Sequence, residues 1–545
     1  MGIFVNQVGY KPNEKKVIVT TKPGKYIIKS LDNNDLLKKE AVFKGNDPLS
    51  GDDVYQVDFS ECTSNGRYIV ESEEGEKSVS FEIKEDVYKN LHNAILKVLH
   101  FQRCGCELKE EHAGVYKHAA CHTAPAVMLE DYINNNKDAV KYDITGGWHD
   151  AGDFGRYVTP AAVAVAHLLY AYILFPESFK DEINIPESGN GVPDVLNECR
   201  YELEWLLKMQ NKEGGVYHKL TSWAHADFIM PEFDDLQFII YPISSMAVAD
   251  FVGVMALASR VYKEYDEAFA NKMLDAARLS FKWLLNNPYI GFQNPEGSNT
   301  GNYSDPSDED ERMWAAAEML RTDVFGDVAS YKSMLEKYVF SDIGKTDMGW
   351  TDVAGFTLFS VLTDPDKVAG EDVYNELKKA MFTETDRLLN LQDQTGYQIG
   401  MEFDDFVWGS NMVVCNRGML FILASLITED NDKTQLYKDG AYNLLHYLMG
   451  RNALDRSYVT GFGEKAYKNP HNRTSACDGI EETMPGWVSG GPNKRPADEA
   501  AIRMIPKGTL PMKCHADDIG SYSTNEITIY WNSPLVFMTA FFNRD

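Results

Sequence analysis

The sequence predicts a small β-sandwich of immunoglobulin-like size followed by a larger, mostly helical domain. Three observations predict it: apolar residues alternate with period two up to about Glu85, helical stripes take over from Asp86, and long polar loops separate the helices. The domains are therefore drawn at residues 1–85 and 86–545. A chain of 545 residues with 44% apolar and 12% aromatic side chains fills a large core and is not disordered as a whole. A net charge of −29 argues against nucleic acid as a partner, because phosphate binding needs a basic surface.

The chain opens on Met1 to Asn6, which reads as a strand and lacks the basic, apolar and small-residue succession of a signal peptide. A cytoplasmic location is the expectation unless a leader has been removed. Further strands are expected at Val17–Thr20, Tyr26–Ile28, around Tyr55, Val57 and Phe59, at Tyr68 and Val70, and along Val79, Phe81 and Ile83. Pro23-Gly24, Asn33-Asn34 and Asn65-Gly66 supply the turns. Helices are expected near 88–102, 160–175, 194–207, 241–263, 266–286, 311–321, 370–390, 410–428 and 433–449, with Pro193-Asp194 opening the stripe Val195, Leu196, Cys199, Leu203, Leu206, Leu207. The most apolar stretches, Met246–Ala258 and Met419–Ile427, are short for a bilayer span or carry Asp250, and no membrane association is expected.

Loops 143–157, 185–194, 211–238, 291–310 and 455–525 are rich in Gly, Asp, Asn, Trp and Tyr. Loops of that length are usually functional. Gathered at one end of a helical barrel, they make an aromatic, acidic groove, which suits carbohydrate better than phosphate esters.

Three constellations carry candidate chemistry. Gly146-Gly147-Trp148-His149-Asp150-Ala151-Gly152-Asp153 sets two carboxylates three residues apart among glycines, able to hold and polarise one water; an Asp-rich turn is the plainer reading. Glu526 stands where the polar run Asp517–Asn525 meets the apolar run Ile527–Phe542. Partial desolvation there raises a carboxyl pKa and suits an acid, while a capping box with Ser523 is the structural alternative. His471 and Arg473, two apart in an extended loop, point the same way and can both donate to sugar hydroxyls.

In this order and at these separations, the three segments resemble glycoside hydrolase family 9, the inverting β-1,4-glucanases. Gly461 to Arg473 is similar to the family's His-x-Arg signature. Asp517, Tyr522, Glu526, Thr528, Asn532 and Ser533 are similar to its acid signature, with His515 where an aromatic is usual. Gly191–Glu198, Leu206–Gln210 and Arg312–Leu320 resemble its helices. The resemblance implies an N-terminal immunoglobulin-like β-sandwich followed by an all-α (α/α)6 barrel. It also implies Asp153 as the base, Asp150 helping to hold the water, Glu526 as the acid, His471 and Arg473 on the sugar, and Tyr522 lining the site. Trp148, Trp314 and Trp408 are candidate platforms. The expected substrate is a β-glucan or cello-oligosaccharide. An exo-acting relative releasing glucose, cellobiose or glucosamine, blocked by the loop Thr221–Asp235, is the enzymatic alternative, and a non-catalytic carbohydrate-binding protein is the other. Phosphorolysis is disfavoured because Asp150 and Asp153 repel phosphate.

Cys104, Cys121, His122 and His149 form a Cys2His2 set, the donor choice of structural zinc, with Cys106 competing for the first position. Such a site ties the first helix of the second domain to a loop and sets the metal beside Asp150. Asp181–Asp194, with Glu187, Asn190 and Asp194 among glycines, is an oxygen-rich loop suited to calcium, although its spacing is not that of an EF-hand. The N-terminal module has no Trp and is expected to buttress the helical domain through an apolar interface.

Overall fold

The structure is a computed structural model and describes residues 2–32 and 36–544. Met1 and the turn expected at Asn33-Asn34 lie outside the described residues. Among the described residues, nine strands build the N-terminal sandwich: β1 Ile3–Phe4, β2 Gly9–Tyr10, β3 Val17–Thr20, β4 Lys25–Ser30, β5 Leu36–Glu40, β6 Val42–Asn46, β7 Asp53–Asp58, β8 Gly66–Ser72 and β9 Phe81–Ile83. One sheet runs β1-β3-β7-β6 and the other β2-β9-β8-β4-β5. Tyr10, Ile18, Ile28, Val57, Phe59, Val70 and Phe81 fill the space between them, as the period-two pattern requires. The expectation missed β2, β5 and β6. β2 is only two residues long, and β5 and β6 have no fully buried residue, so none of them carries the apolar alternation of a core-facing strand.

The helices expected from the 3.6-residue stripes are present, among them Val158–Leu174, Asp194–Lys208, Ser245–Tyr262, Glu267–Asn286, Glu309–Thr322, Ser410–Ile427 and Asn431–Leu448. Helices also form at Lys89–Phe101, Val328–Val339, Gly355–Leu362, Glu371–Gln394 and Ile529–Asn543. Ser245–Tyr262 and Ser410–Ile427 each run 18 residues, longer than the stretches judged too short for a span. Most of their length is buried within the protein, 89% and 72%, as in core helices.

Contacts divide the chain into two units. The first comprises the chain up to Val98, Glu384–Ser475 and Glu481 onward; the second comprises Leu99–Thr383 with Ala476–Ile480. In the first unit the sandwich packs on the C-terminal helical segments. Asp52 accepts from Tyr397 Oη at 3.0 Å and Lys513 Nζ at 2.6 Å, and Gln56 Nε2 donates to Gly396 O at 2.8 Å. Asn6, Glu14, Tyr88, His446 and Arg451 are buried beside them, with Asn6 Nδ2 3.0 Å from His446 Nδ1. The interface expected to be apolar is therefore laced with buried polar groups. Burial pushes the Glu14 carboxyl up and the His446 imidazole down, which favours a neutral pair.

In the second unit, short strands Val127–Met128, Arg156–Tyr157, Lys219–Thr221 and Ile239–Ile240 form a small sheet that no sequence pattern indicated. Tyr157 and Lys219 are register partners across one antiparallel pair.

Candidate active site and metal centre

The loop Gly146–Asp153 is fixed on both sides. Cys104 N donates to Gly147 O at 2.8 Å, and His149 N donates to Gln102 O at 2.7 Å. The Glu202 carboxylate accepts from Trp148 N at 2.5 Å, and Arg156 donates to Ile144 O and Gly146 O at 3.0 and 2.7 Å. Gly147 adopts φ +77°, and a Cβ there would meet the Trp205 ring at 2.7 Å, so both conformation and space require glycine.

This framework presents the two carboxylates. Asp153 Oδ2 accepts from Gly155 N at 3.1 Å and Tyr157 Oη at 3.3 Å, and lies 3.2 Å from His225 Nδ1. Asp150 Oδ2 accepts from Tyr303 Oη at 2.5 Å. Burial pushes the Asp150 carboxyl well above the usual carboxylate range; the Tyr303 hydrogen bond opposes this and the Asp153 charge adds to it. Below them Lys219 is fully buried, its ammonium donating to Asn294 Oδ1, Thr300 Oγ1 and Gly301 O at 2.7, 2.8 and 2.7 Å. Burial brings its pKa down to about 7, against the pull of the Asp153 charge. His225, Lys219 and Tyr303 were not singled out from the sequence. They lie 66 or more residues beyond Asp153 in no motif with it, and only the fold brings them together.

The other expected residues gather in the first unit. His471 pairs with Glu526 in a parallel bridge, its N–H donating to Asn525 O at 2.9 Å, and His471 Nδ1 lies 2.7 Å from Ile519 O. Asp517 accepts from Lys468 N and Asn469 N at 3.1 and 2.8 Å, anchoring the loop that leads to His471. Gly490 N donates to Glu526 O at 2.8 Å. Glu526 is half-buried and Arg473 is buried at the start of a short helix. The capping-box alternative for Glu526 fails. Thr528 caps the final helix by accepting from Trp531 N at 3.2 Å, and Ser523 is bound to Asp498 instead.

Two of the proposed platforms are corrected. Trp314 is 0% exposed and Trp148 1%, so neither can face a sugar; Trp314 Nε1 donates to Tyr170 Oη within the core. Trp408 is 48% exposed, with its ring 5.3 Å from that of Tyr522, and the Tyr522 ring is in turn 5.9 Å from His471.

Cys104, Cys121, His122 and His149 converge, their ligand atoms all within 4.8 Å of one another. Cys104 Sγ is 3.5 Å from His122 Nδ1, which is 3.2 Å from His149 Nε2, and Cys121 Sγ is 3.9 Å from His149 Nε2. These separations fit a tetrahedral ion, since ligand bonds of about 2.0–2.3 Å give edges of roughly 3.3–3.8 Å. Cys106 is outside the cluster. Burial alone raises the Cys104 thiol, but the Cys121 hydrogen bond, Arg156 and the two imidazoles bring it well below its ordinary value. His122 turns its Nε2 to Asp234 Oδ2 at 3.2 Å, an orienting carboxylate behind a ligand. The loop Thr221–Asp235 thus reaches both His122, through Asp234, and Asp153, through His225.

In the Asp181–Asp194 loop, the oxygens considered for calcium have protein partners. Glu187 accepts a two-pronged bond from Arg103 at 2.8 and 3.0 Å, Asn190 pairs with Asn197, and Asp194 accepts from Ile183 N and Ser188 Oγ.

The profile described as Glycosyl hydrolase family 9 matches residues 88–539, and that of the Cellulase N-terminal ig-like domain matches residues 1–77. A cellodextrinase of Butyrivibrio fibrisolvens is 40% identical over 552 residues, covering 98% of each chain. The solved structure of AaCel9A in complex with cellobiose-like isofagomine is 34% identical, with a TM-score of 0.92 over 100% of both chains. A Zn-binding triple mutant of the family 9 endoglucanase J30 is 29% identical, with a TM-score of 0.90 over 98% of this chain and 99% of that one. The chain belongs to glycoside hydrolase family 9. It is a glycoside hydrolase with an immunoglobulin-like sandwich followed by an (α/α)6 barrel, the class its sequence resemblance implies.

Proposed function

We propose that the protein hydrolyses β-1,4-glucosidic bonds of glucans, with inversion, and that soluble cello-oligosaccharides are its preferred substrates. The carrying observation is the Asp150–Asp153 loop: two carboxylates held by Tyr157, Tyr303 and His225 within a chain that matches family 9 over residues 88–539. The full-length likeness to a cellodextrinase supports the preference for short chains.

In this reading Asp153 takes a proton from water while Asp150 helps hold that water. Glu526 protonates the departing glycosidic oxygen. His471 and Arg473 donate to hydroxyls of the sugar before the cleaved bond, and Tyr522 and Trp408 offer ring faces. A purely binding role has no use for a carboxylate built into so many contacts. The Cys2His2 cluster holds zinc, which when bound supplies a cross-link with all four positions filled by protein. Its four ligands fix the Gly146–Asp153 loop through His149.

Product analysis on cellohexaose, barley β-glucan and chitosan oligomers in parallel tests the reading. Rapid cleavage of cellohexaose at internal bonds is expected. Release of glucose, cellobiose or glucosamine from one end alone would establish the exo-acting alternative, and no cleavage of any of the three would overturn the proposal.

A further inference from the structure

Lys219 is an unusual place for a charge. It has no exposed surface, and its Nζ lies 4.4 Å from the centre of the Tyr241 ring, 5.5 Å from Phe292 and 5.6 Å from Tyr157. Three oxygens take its hydrogens, two of them an amide and a peptide carbonyl that can only accept. A lysine meeting three acceptors uses all three N–H bonds of an ammonium.

All three acceptors belong to one loop, residues 294–303. The loop is closed on itself by Asn294 N donating to Asn302 Oδ1 and Asn294 Nδ2 donating to Thr300 O, both at 2.7 Å. From it, Gly301 N donates to Tyr157 Oη at 3.0 Å, and Tyr157 Oη reaches Asp153 Oδ2 at 3.3 Å. Tyr303, two residues on, donates to Asp150 and sits at φ +43°, a left-handed conformation that a tyrosine adopts only when its surroundings impose it. The loop therefore presents one hydrogen bond toward each carboxylate, and the lysine is what fastens the loop.

We propose that Lys219 is a positioning residue for the hydrolytic base: by pinning the 294–303 loop it fixes Tyr157 and Tyr303 on Asp153 and Asp150. This rests on Asp153 being the base. The titratable groups around Asp153 include Asp150, His225, Tyr157 and Lys219. Loosening the loop frees Tyr157 from Asp153 and removes a hydrogen bond that favours the ionised carboxylate, so the base is protonated at a higher pH and the acidic limb of the rate profile moves upward.

The test is steady-state kinetics across pH on cellohexaose for the full-length protein and the variants Lys219→Met and Asp153→Ala, each checked for folding by circular dichroism. Lys219→Met is expected to lower kcat by about ten- to a hundredfold with KM nearly unchanged, because a small misplacement of a reacting group carries penalties of that order. The acidic limb of kcat/KM is expected to rise by about half to one pH unit. A folded Lys219→Met protein with unchanged kcat and acidic limb, whatever its melting temperature, overturns the inference. If Lys219→Met does not fold, Asn294→Ala keeps the ammonium and removes one acceptor; a several-fold lower kcat at constant KM is expected, and an unchanged kcat overturns the inference. Turnover retained by Asp153→Ala would instead bring down the assignment of the base. An inactive Asp153→Ala beside a Lys219→Met variant with native kinetics would refute the role of Lys219 alone.

Discussion

In the proposed mechanism Asp153 and Glu526 have separable duties, and single substitutions distinguish them. Asp153→Ala should lower kcat by about 10²–10⁴ on every substrate, the usual contribution of a positioned acid or base. Added azide should restore part of the rate by replacing the activated water. Glu526→Ala should be as damaging on natural glucans and much milder on aryl glycosides whose leaving group needs little protonation, which parallel assays on the two substrate types will show. The paired carboxylates were legible in the sequence because two aspartates three residues apart among three glycines carry the whole local pattern. The groups that hold them were not. His225 lies 72 residues from Asp153, and Tyr303 lies 153 residues from Asp150, and nothing in either neighbourhood announces a partner. Trp314 misled for the opposite reason: an indole in a helix reads alike whether it faces a sugar or the core, and here it faces the core.

At the scale of elements, legibility followed length and exposure. Long amphipathic helices such as Asp194–Lys208 declare their period, whereas strands of two or three residues such as Arg156–Tyr157 and Lys219–Thr221 are too short to alternate. The final helix, Ile529–Asn543, is apolar all round and contains Pro534, so no stripe marks it. Its start is marked instead by Thr528, and Thr528→Ala should destabilise the protein by about 1 kcal/mol in denaturant melts. In the proposed reading, zinc on the Cys2His2 cluster staples the segment at Cys104 to those carrying Cys121, His122 and His149. Purified protein should contain about one zinc per chain by elemental analysis, as a closed four-ligand site requires. Cys121→Ser should lose that zinc and melt at a lower temperature. If activity instead falls in proportion to zinc while the melting curve stays put, the metal takes part in the chemistry and its structural assignment is wrong.

For the whole molecule, the sandwich and the C-terminal helices share one compact unit, joined by groups that cannot be exposed cheaply. Arg451 has no exposed surface, its guanidinium donating to Asn443 O and Oδ1, and burial brings its pKa down to about 10. Residues 86–545 alone would leave this region facing solvent where β-strands had covered it. A lower melting temperature and weaker activity than the full chain are expected by calorimetry and assay, and equal stability and activity would show that the module does not buttress the enzyme. The central claim remains the division of labour between Asp153 and Glu526, which requires water to attack the anomeric carbon directly. Proton NMR of the first-formed product, recorded before mutarotation, tests it most directly. The α-anomer from a β-linked substrate is the predicted result; an initial β-anomer would mean a covalent intermediate and would contradict the role given to Asp153.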